Sequence, residues 1–177
     1  MNVNLGCGPF LAPKPWVNVD VIYIPKVITP SVVVKPGEPL PWNDEVADRV
    51  YLGHMLEHVE WADVSALLAD VRRILCEGGE VCVVGPDVNR TLQRWHDGDE
   101  NWQQVLGVIE DDLHYQEAQA EWAGARHAWN CNEGRVMRAL TAAGFRDVQP
   151  LPITEEALAE WPVVAFTQHQ CAVRAVR

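Results

Sequence analysis

The sequence predicts an α/β protein built on a mostly parallel sheet, and three observations carry that expectation. Short β-type runs alternate with helical or loop segments along the 177 residues, as a sheet with crossover connections requires. Val81, Cys82, Val83 and Val84 form a continuous apolar run, the mark of a strand buried on both faces. The chain opens with Val3-Asn4-Leu5-Gly6-Cys7-Gly8, an apolar run entering a Gly-x-Gly turn, and continues to Val17-Asn18-Val19-Asp20. In an α/β sheet this sets bare backbone beside the end of one strand. It also sets a carboxylate at the end of the neighbouring strand, where it can accept hydrogen bonds from a ribose.

Taken in order, the candidate strands are 3–5, 17–19, 32–34, 49–52, 80–84, 147–151 and 171–176, with 80–84 central. Pro9, Pro13 and Pro15 leave no room for a full crossover helix between the first two. A first helix is marked by Asp63 as its cap and by Val64, Leu67, Leu68, Val71, Ile74 and Leu75 on one face, with Gly78-Gly79 as a left-handed stop. A second has Asn132 as cap, Val136, Leu140 and Ala143 as its buried stripe, and Gly144 as its end before Phe145. Between them, 89–128 is polar and Trp-rich with weak periodicity. Its place after the central strand makes it an insertion and a candidate lid, with a covering helix pair as the plainer reading. His96 and His114 lie within it and are expected at the surface.

The chain is long enough for one domain spanning 1–177 with a real core, and at 48% hydrophobic residues it is expected to fold. No run approaches the ~20 apolar residues of a membrane span, and no secretory leader precedes the first strand, so a cytoplasmic protein is expected. Five cysteines without a Cys-x-x-Cys pair read as reduced thiols. A net charge of -11 argues against a nucleic-acid partner. Asp97, Asp99, Glu100, Glu110, Asp111, Asp112, Glu117 and Glu121 follow Trp95 with no Lys or Arg among them. They read as a solvated helical face, or as an acidic wall favouring a neutral or cationic substrate.

Asp20 follows Gly8 by twelve positions, whereas a dinucleotide fingerprint wants a third glycine, a helix and an acid about 20 residues on. The phosphate-binding helix N-terminus is thereby lost, which excludes a nicotinamide or flavin dinucleotide. A second motif is His54-Met55-Leu56-Glu57-His58, which spells H-x-x-E-H, the inverted zinc-peptidase pattern. A metal-dependent hydrolase using His54, Glu57 and His58 would need the three on one helical face. They follow a strand at a loop, so Glu57 and His58 are expected to hydrogen-bond locally at a helix start, with no metal.

The string VNLGCGPFLAPKPWVNVDV resembles the first two strands of small class I S-adenosylmethionine-dependent methyltransferases of the type 11-like group, which read Asn-Leu-Gly-Cys-Gly and then Trp-x-Asn-x-Asp. The similarity continues through PLPWNDEVADRVYLGHMLEHV, the first helix, the Gly-Gly turn and VCVVGPD, and resumes at HAWNCNEGRVMRALTAAGF. The resemblance implies a Rossmann-like seven-stranded sheet whose last strand is antiparallel. It implies S-adenosyl-L-methionine as cofactor, a ligand with a carboxylate and a sulfonium but no phosphate, suited to backbone donors rather than a helix dipole. Asn4, Leu5, Gly6, Cys7 and Gly8 would line its methionine part, Asp20 would take the ribose, Leu40 would lie near the adenine, and Gly53 with His54 near the methionine end. His127 and Trp129 would cover the substrate, and His54 or His58 would serve as base in methyl transfer to a small-molecule O or N acceptor. A non-catalytic protein that keeps the fold is the alternative. Ubiquinone-pathway O-methyltransferases carry a metal-binding Glu-x-x-Glu-His element similar to this one. Here His54 stands for its first glutamate, which disfavours a hard Mg²⁺ site. Oligomeric state is left open.

Overall fold

In the computed structural model, which describes residues 1–35, 37–99, 127–163 and 168–177, seven strands form one sheet in the order β3-β2-β1-β4-β5-β7-β6. They are β1 (Asn2–Leu5), β2 (Trp16–Asp20), β3 (Val32–Val33), β4 (Ala47–Gly53), β5 (Leu75–Pro86), β6 (Arg146–Leu151) and β7 (Gln170–Val176). Every expected strand is present. Strands β1 to β5 pair parallel, and β7 runs antiparallel between β5 and β6. This is the Rossmann-like sheet with a reversed last strand.

Three helices are described: α1 (Trp61–Ile74), α2 (Val88–His96) and α3 (Glu133–Ala142). None is long and apolar enough to cross a membrane. Alternation along each strand assigns the two faces. Val3, Leu5, Val19, Val50, Leu52, Val81 and Val83 share one core with Val64, Leu68, Val71 and Ile74 of α1 and Val136 and Leu140 of α3. The residues between them face the other way, where Tyr51, Cys82 and Val84 pack with Leu158 and Trp161.

Segment 6–15 joins two parallel strands without a helix, as its prolines dictate. Two asparagines in register fasten it to the sheet instead. Asn18 Oδ1 accepts from Ala12 N and from Asn4 Nδ2, both at 2.8 Å, and Asn18 Nδ2 donates to Ala12 O at 2.9 Å. Those bonds satisfy polar groups that burial would otherwise leave costly.

Two helix-end expectations are corrected. Helix α1 begins at Trp61 rather than after Asp63, with Glu60 at its cap position and no side-chain cap bond. Packing explains the earlier start, because the Trp61 ring lies 4.8 Å from that of Trp129 and beneath Arg135. The helix also ends at Ile74, with an extended Leu75, so Gly78-Gly79 is not its stop. The glycines fall in a bulge of β5, between the pairs Ala47–Leu75 and Arg49–Glu80. A Cβ on Gly79 would stand 2.9 Å from Cys76 O and 3.2 Å from Ala47 O, so Gly79 admits backbone to backbone. Helix α3 ends as read: Gly144 has φ +86°, and Phe145 N donates to Leu140 O while Gly144 N donates to Thr141 O. That is a Schellman motif. Of the 89–128 insertion, α2 is described, and 100–126, with His114 and most of the acidic run, lies outside the described residues. His96 is exposed, as expected.

Candidate functional site

Strand register brings the ends of β1, β2, β4 and β5 to one edge. Leu5 pairs with Val19 and with Leu52, and Gly53 pairs with Val84. Gly6, Asp20 and Gly53 therefore stand at the carboxyl edge of neighbouring strands, where open α/β sheets bind ligands.

The turn after β1 is built on two left-handed glycines. Gly6 (φ +72°) and Cys7 both donate to Val19 O, at 2.8 and 3.0 Å. A Cβ on Gly6 would lie 2.1 Å from Met55 Cγ, so only glycine lets β1 leave past the 3₁₀ turn that follows β4. Gly8 (φ +51°) has open space where a side chain would be and donates its amide to Asp20 Oδ2 at 2.8 Å. Asp20 is nearly buried, and its Oδ1 accepts from Val21 N at 2.8 Å and Ile22 N at 3.3 Å. Burial, and then the Asp20 charge, push the Cys7 thiol up to about 12, so it stays protonated at neutral pH.

Asn4, Leu5 and Leu40, also expected at the cofactor, are buried. Asn4 is buried and bonded to Asn18, where it holds the proline-rich segment, and Leu5 belongs to the core. Leu40 is buried against α1, its amide donating to Asp70 Oδ2 at 2.6 Å and its carbonyl accepting from Arg73 at 3.1 Å.

At the end of β4, a Cβ on Gly53 would overlap the Tyr51 ring. His54 follows in the left-handed region (φ +50°), and its amide donates to Val84 O at 2.8 Å. Its side chain is 45% exposed, with Nε2 meeting the side-chain amide of Gln170 and Nδ1 lying 3.2 Å from Glu57 Oε1. Leu56–His58 is a single 3₁₀ turn, so His54, Glu57 and His58 share no α-helical face and the peptidase geometry is absent.

Glu57 departs from expectation. It is fully buried, and neither carboxylate oxygen has a hydrogen-bond partner. The His54 contact has the distance of an ion pair without the alignment of a hydrogen bond. Local hydrogen bonding at a helix start is therefore not what this carboxylate does. His58 packs edge-on against His127, with ring centroids 4.9 Å apart. Ala128 N donates to Glu57 O at 2.7 Å and Trp129 Nε1 to Leu56 O at 3.2 Å, so the 127–129 segment is stapled onto the 3₁₀ turn. The Trp129 ring is 8% exposed beside Trp61 and beneath Arg135. It packs as core, and of this pair only His127 faces the histidines.

Sequence reasoning missed Asp87, Gln170 and the burial of Glu57. Asp87 is buried, caps α2 by accepting from Asn89 N and Arg90 N, and accepts from Glu133 N at 3.2 Å. Its signal was an aspartate directly before a helix, a standard cap. Gln170 opens β7 and carries no signal of its own.

Residues 18–83 match the family model described as a methyltransferase domain. No curated protein matches the chain by sequence. Among solved structures, a SAM-dependent methyltransferase from Archaeoglobus fulgidus is 14% identical, with a TM-score of 0.57, over 99% of this chain and 85% of its own. An S-adenosylmethionine-dependent methyltransferase from Mesorhizobium loti is 17% identical, with a TM-score of 0.58, over 99% and 90%. A SAM-dependent methyltransferase from Thermotoga maritima, named as a possible histamine N-methyltransferase, is 20% identical, with a TM-score of 0.56, over 99% and 81%. Fold and family match point the same way: residues 18–83 match the methyltransferase domain, and the fold of the chain is that of the class I S-adenosylmethionine-dependent methyltransferases. The cofactor of that class is S-adenosyl-L-methionine.

Proposed function

We propose that this protein transfers the methyl group of S-adenosylmethionine to an oxygen or nitrogen of a small-molecule acceptor. The observation that carries the reading is the Gly6–Gly8 turn closed onto Asp20, one strand away from Gly53 and His54 at the same sheet edge. Gly6, Cys7 and Gly8 supply the bare backbone that can approach the methionine part. Asp20 Oδ2, bonded to one amide, keeps a lone pair for a ribose hydroxyl.

Methyl transfer is an in-line displacement: the acceptor's lone pair forms the bond to the methyl carbon as the carbon–sulfur bond breaks and its electrons return to sulfur. Most of the acceleration comes from holding acceptor and sulfonium in line. His54, half-exposed and fixed between Glu57 and Gln170, receives the proton that the acceptor loses. His58, the second imidazole at this edge, is turned toward His127. The chain's net charge of -11 favours a neutral or cationic acceptor over an anionic one.

Calorimetry on the purified protein with S-adenosylmethionine and S-adenosylhomocysteine tests the first requirement. Binding of both, weakened in Asp20→Ala, is expected. Failure of both to bind would overturn the reading and leave a protein that keeps the fold without the reaction.

A further inference from the structure

A fully buried carboxylate whose two oxygens have no hydrogen-bond partner among the described residues needs a compensating charge. Beside Glu57, His54 Nδ1 lies 3.2 Å from Oε1. On the other side, a Cβ on Gly85 would stand 3.5 Å from Oε2, so that oxygen looks onto a glycine backbone. The same carboxylate converges with two imidazoles. One ligating atom each from Glu57, His58 and His127 lie within 4.8 Å of one another.

We infer that Glu57, His58 and His127 form a binding site for a divalent cation of the zinc type. One oxygen and two imidazole nitrogens are the donor set of borderline first-row cations such as Zn²⁺ or Co²⁺. Magnesium prefers an all-oxygen, octahedral shell and is not suited to it. Ligand atoms around a tetrahedral zinc lie roughly 3.3 Å apart for bonds of about 2.0 Å, so inward rotation of the two rings closes the site. The backbone already holds the three residues side by side. His58 is the next residue after Glu57 on one 3₁₀ turn, and the bonds from Ala128 N and Trp129 Nε1 hold His127 against that turn. His54 Nδ1, beside Glu57 Oε1, orients the carboxylate from outside the ligand set. The assignment goes beyond the methyl-transfer reading and does not depend on it.

The test uses chelator-treated full-length protein and Zn²⁺ alone, titrated by calorimetry, with Co²⁺ absorption reporting ligand geometry. One equivalent of Zn²⁺ is expected to bind, with Mg²⁺ at least 100-fold weaker, and Co²⁺ to give the intense visible bands of a four-coordinate site. Glu57→Gln, nearly isosteric and neutral, should weaken Zn²⁺ at least tenfold, and His127→Ala at least as much, while His96→Ala, at an exposed histidine, leaves it unchanged. Each variant's melting temperature is read without metal, and the metal-induced rise in that temperature is read beside it. If Glu57→Gln fails to fold, His127→Ala decides alone. No heat and no cobalt bands would overturn the site, as would Zn²⁺ binding equal in Glu57→Gln, His127→Ala and the parent. Zinc binding without S-adenosylhomocysteine binding would sink the methyl-transfer reading and leave the metal site standing; the reverse would sink the metal alone.

Discussion

Asp20 and Gly8 tie the turn after β1 to the end of β2: the Gly8 amide donates to Asp20 Oδ2 at 2.8 Å. The carboxylate thus shapes the turn, and in the methyl-transfer proposal it also accepts from a ribose hydroxyl. A hydrogen bond to a charged group is worth roughly 1.5–3 kcal/mol. Asp20→Ala should therefore weaken S-adenosylhomocysteine by about 10- to 100-fold in calorimetry, more than it lowers the melting temperature. Unchanged affinity in that variant would remove Asp20 from the site.

Gly6 and Met55 are locked together more tightly. A Cβ at Gly6 would meet Met55 Cγ at 2.1 Å and Met55 Cβ at 2.6 Å, and it would do so at φ +72°. Overpacking, at about 1–3 kcal/mol, and left-handed strain, at about 1–2 kcal/mol, then add. Gly6→Ala should lower the melting temperature by several degrees. Met55→Ala in the same chain should restore only part of it, because the Met55 Cβ and the positive φ remain. Full rescue would show that the side-chain clash alone mattered.

The strands were legible because each is a short apolar run between punctuating residues, and buried parallel strands leave that trace directly. The proline-rich connection was legible for an equally local reason, since proline forbids the helix whatever surrounds it. Helix α1 was misread at both ends because its start is set by Trp61 packing on Trp129, a contact 68 positions away, and its end by strand pairing at Leu75. The site divides along the same line. Gly6, Gly8 and Asp20 belong to one local unit and fall together, whereas Glu57 becomes a buried orphan only when the 127–129 segment folds over it. Asn4 and Leu40 were named for the cofactor, but their surroundings come from Asn18 and from Asp70, partners that no local pattern displays.

Buried thiols and a buried phenol tie stability to alkaline pH. Cys7 is raised from 9.0 to about 12 by burial and by Asp20, and Cys82 and Tyr51 are raised chiefly by burial. Cys131 is raised by its hydrogen bond with Cys171 and by burial. A folded-state pKa above the unfolded one contributes stability that is fully present below the unfolded value and lost as pH rises toward the folded value. For Cys7 that window runs from about 9 to about 12. The melting temperature should hold up to pH 9 and fall above it, and a flat profile to pH 11 would contradict the burial of these groups. Asp20→Asn removes the charge that adds to burial in raising Cys7, so alkylation of Cys7 at pH 9 should quicken.

Gly144 isolates the cost of a left-handed position from that of a clash. It closes the Schellman turn of α3 at φ +86°, and a Cβ there would sit 3.5 Å from Arg72 Nε, an ordinary contact with a side chain that can move. Gly144→Ala should therefore cost only the conformational term, about 1–2 kcal/mol. In a domain of this size that corresponds to a fall of roughly 2–8 °C in melting temperature. The loss should be smaller than for Gly6→Ala, where the same strain meets Met55. Gly144→Asn, which tolerates left-handed backbone better, should recover part of it. Equal losses for alanine and asparagine would mean that the Arg72 contact, and not the backbone, sets the requirement for glycine.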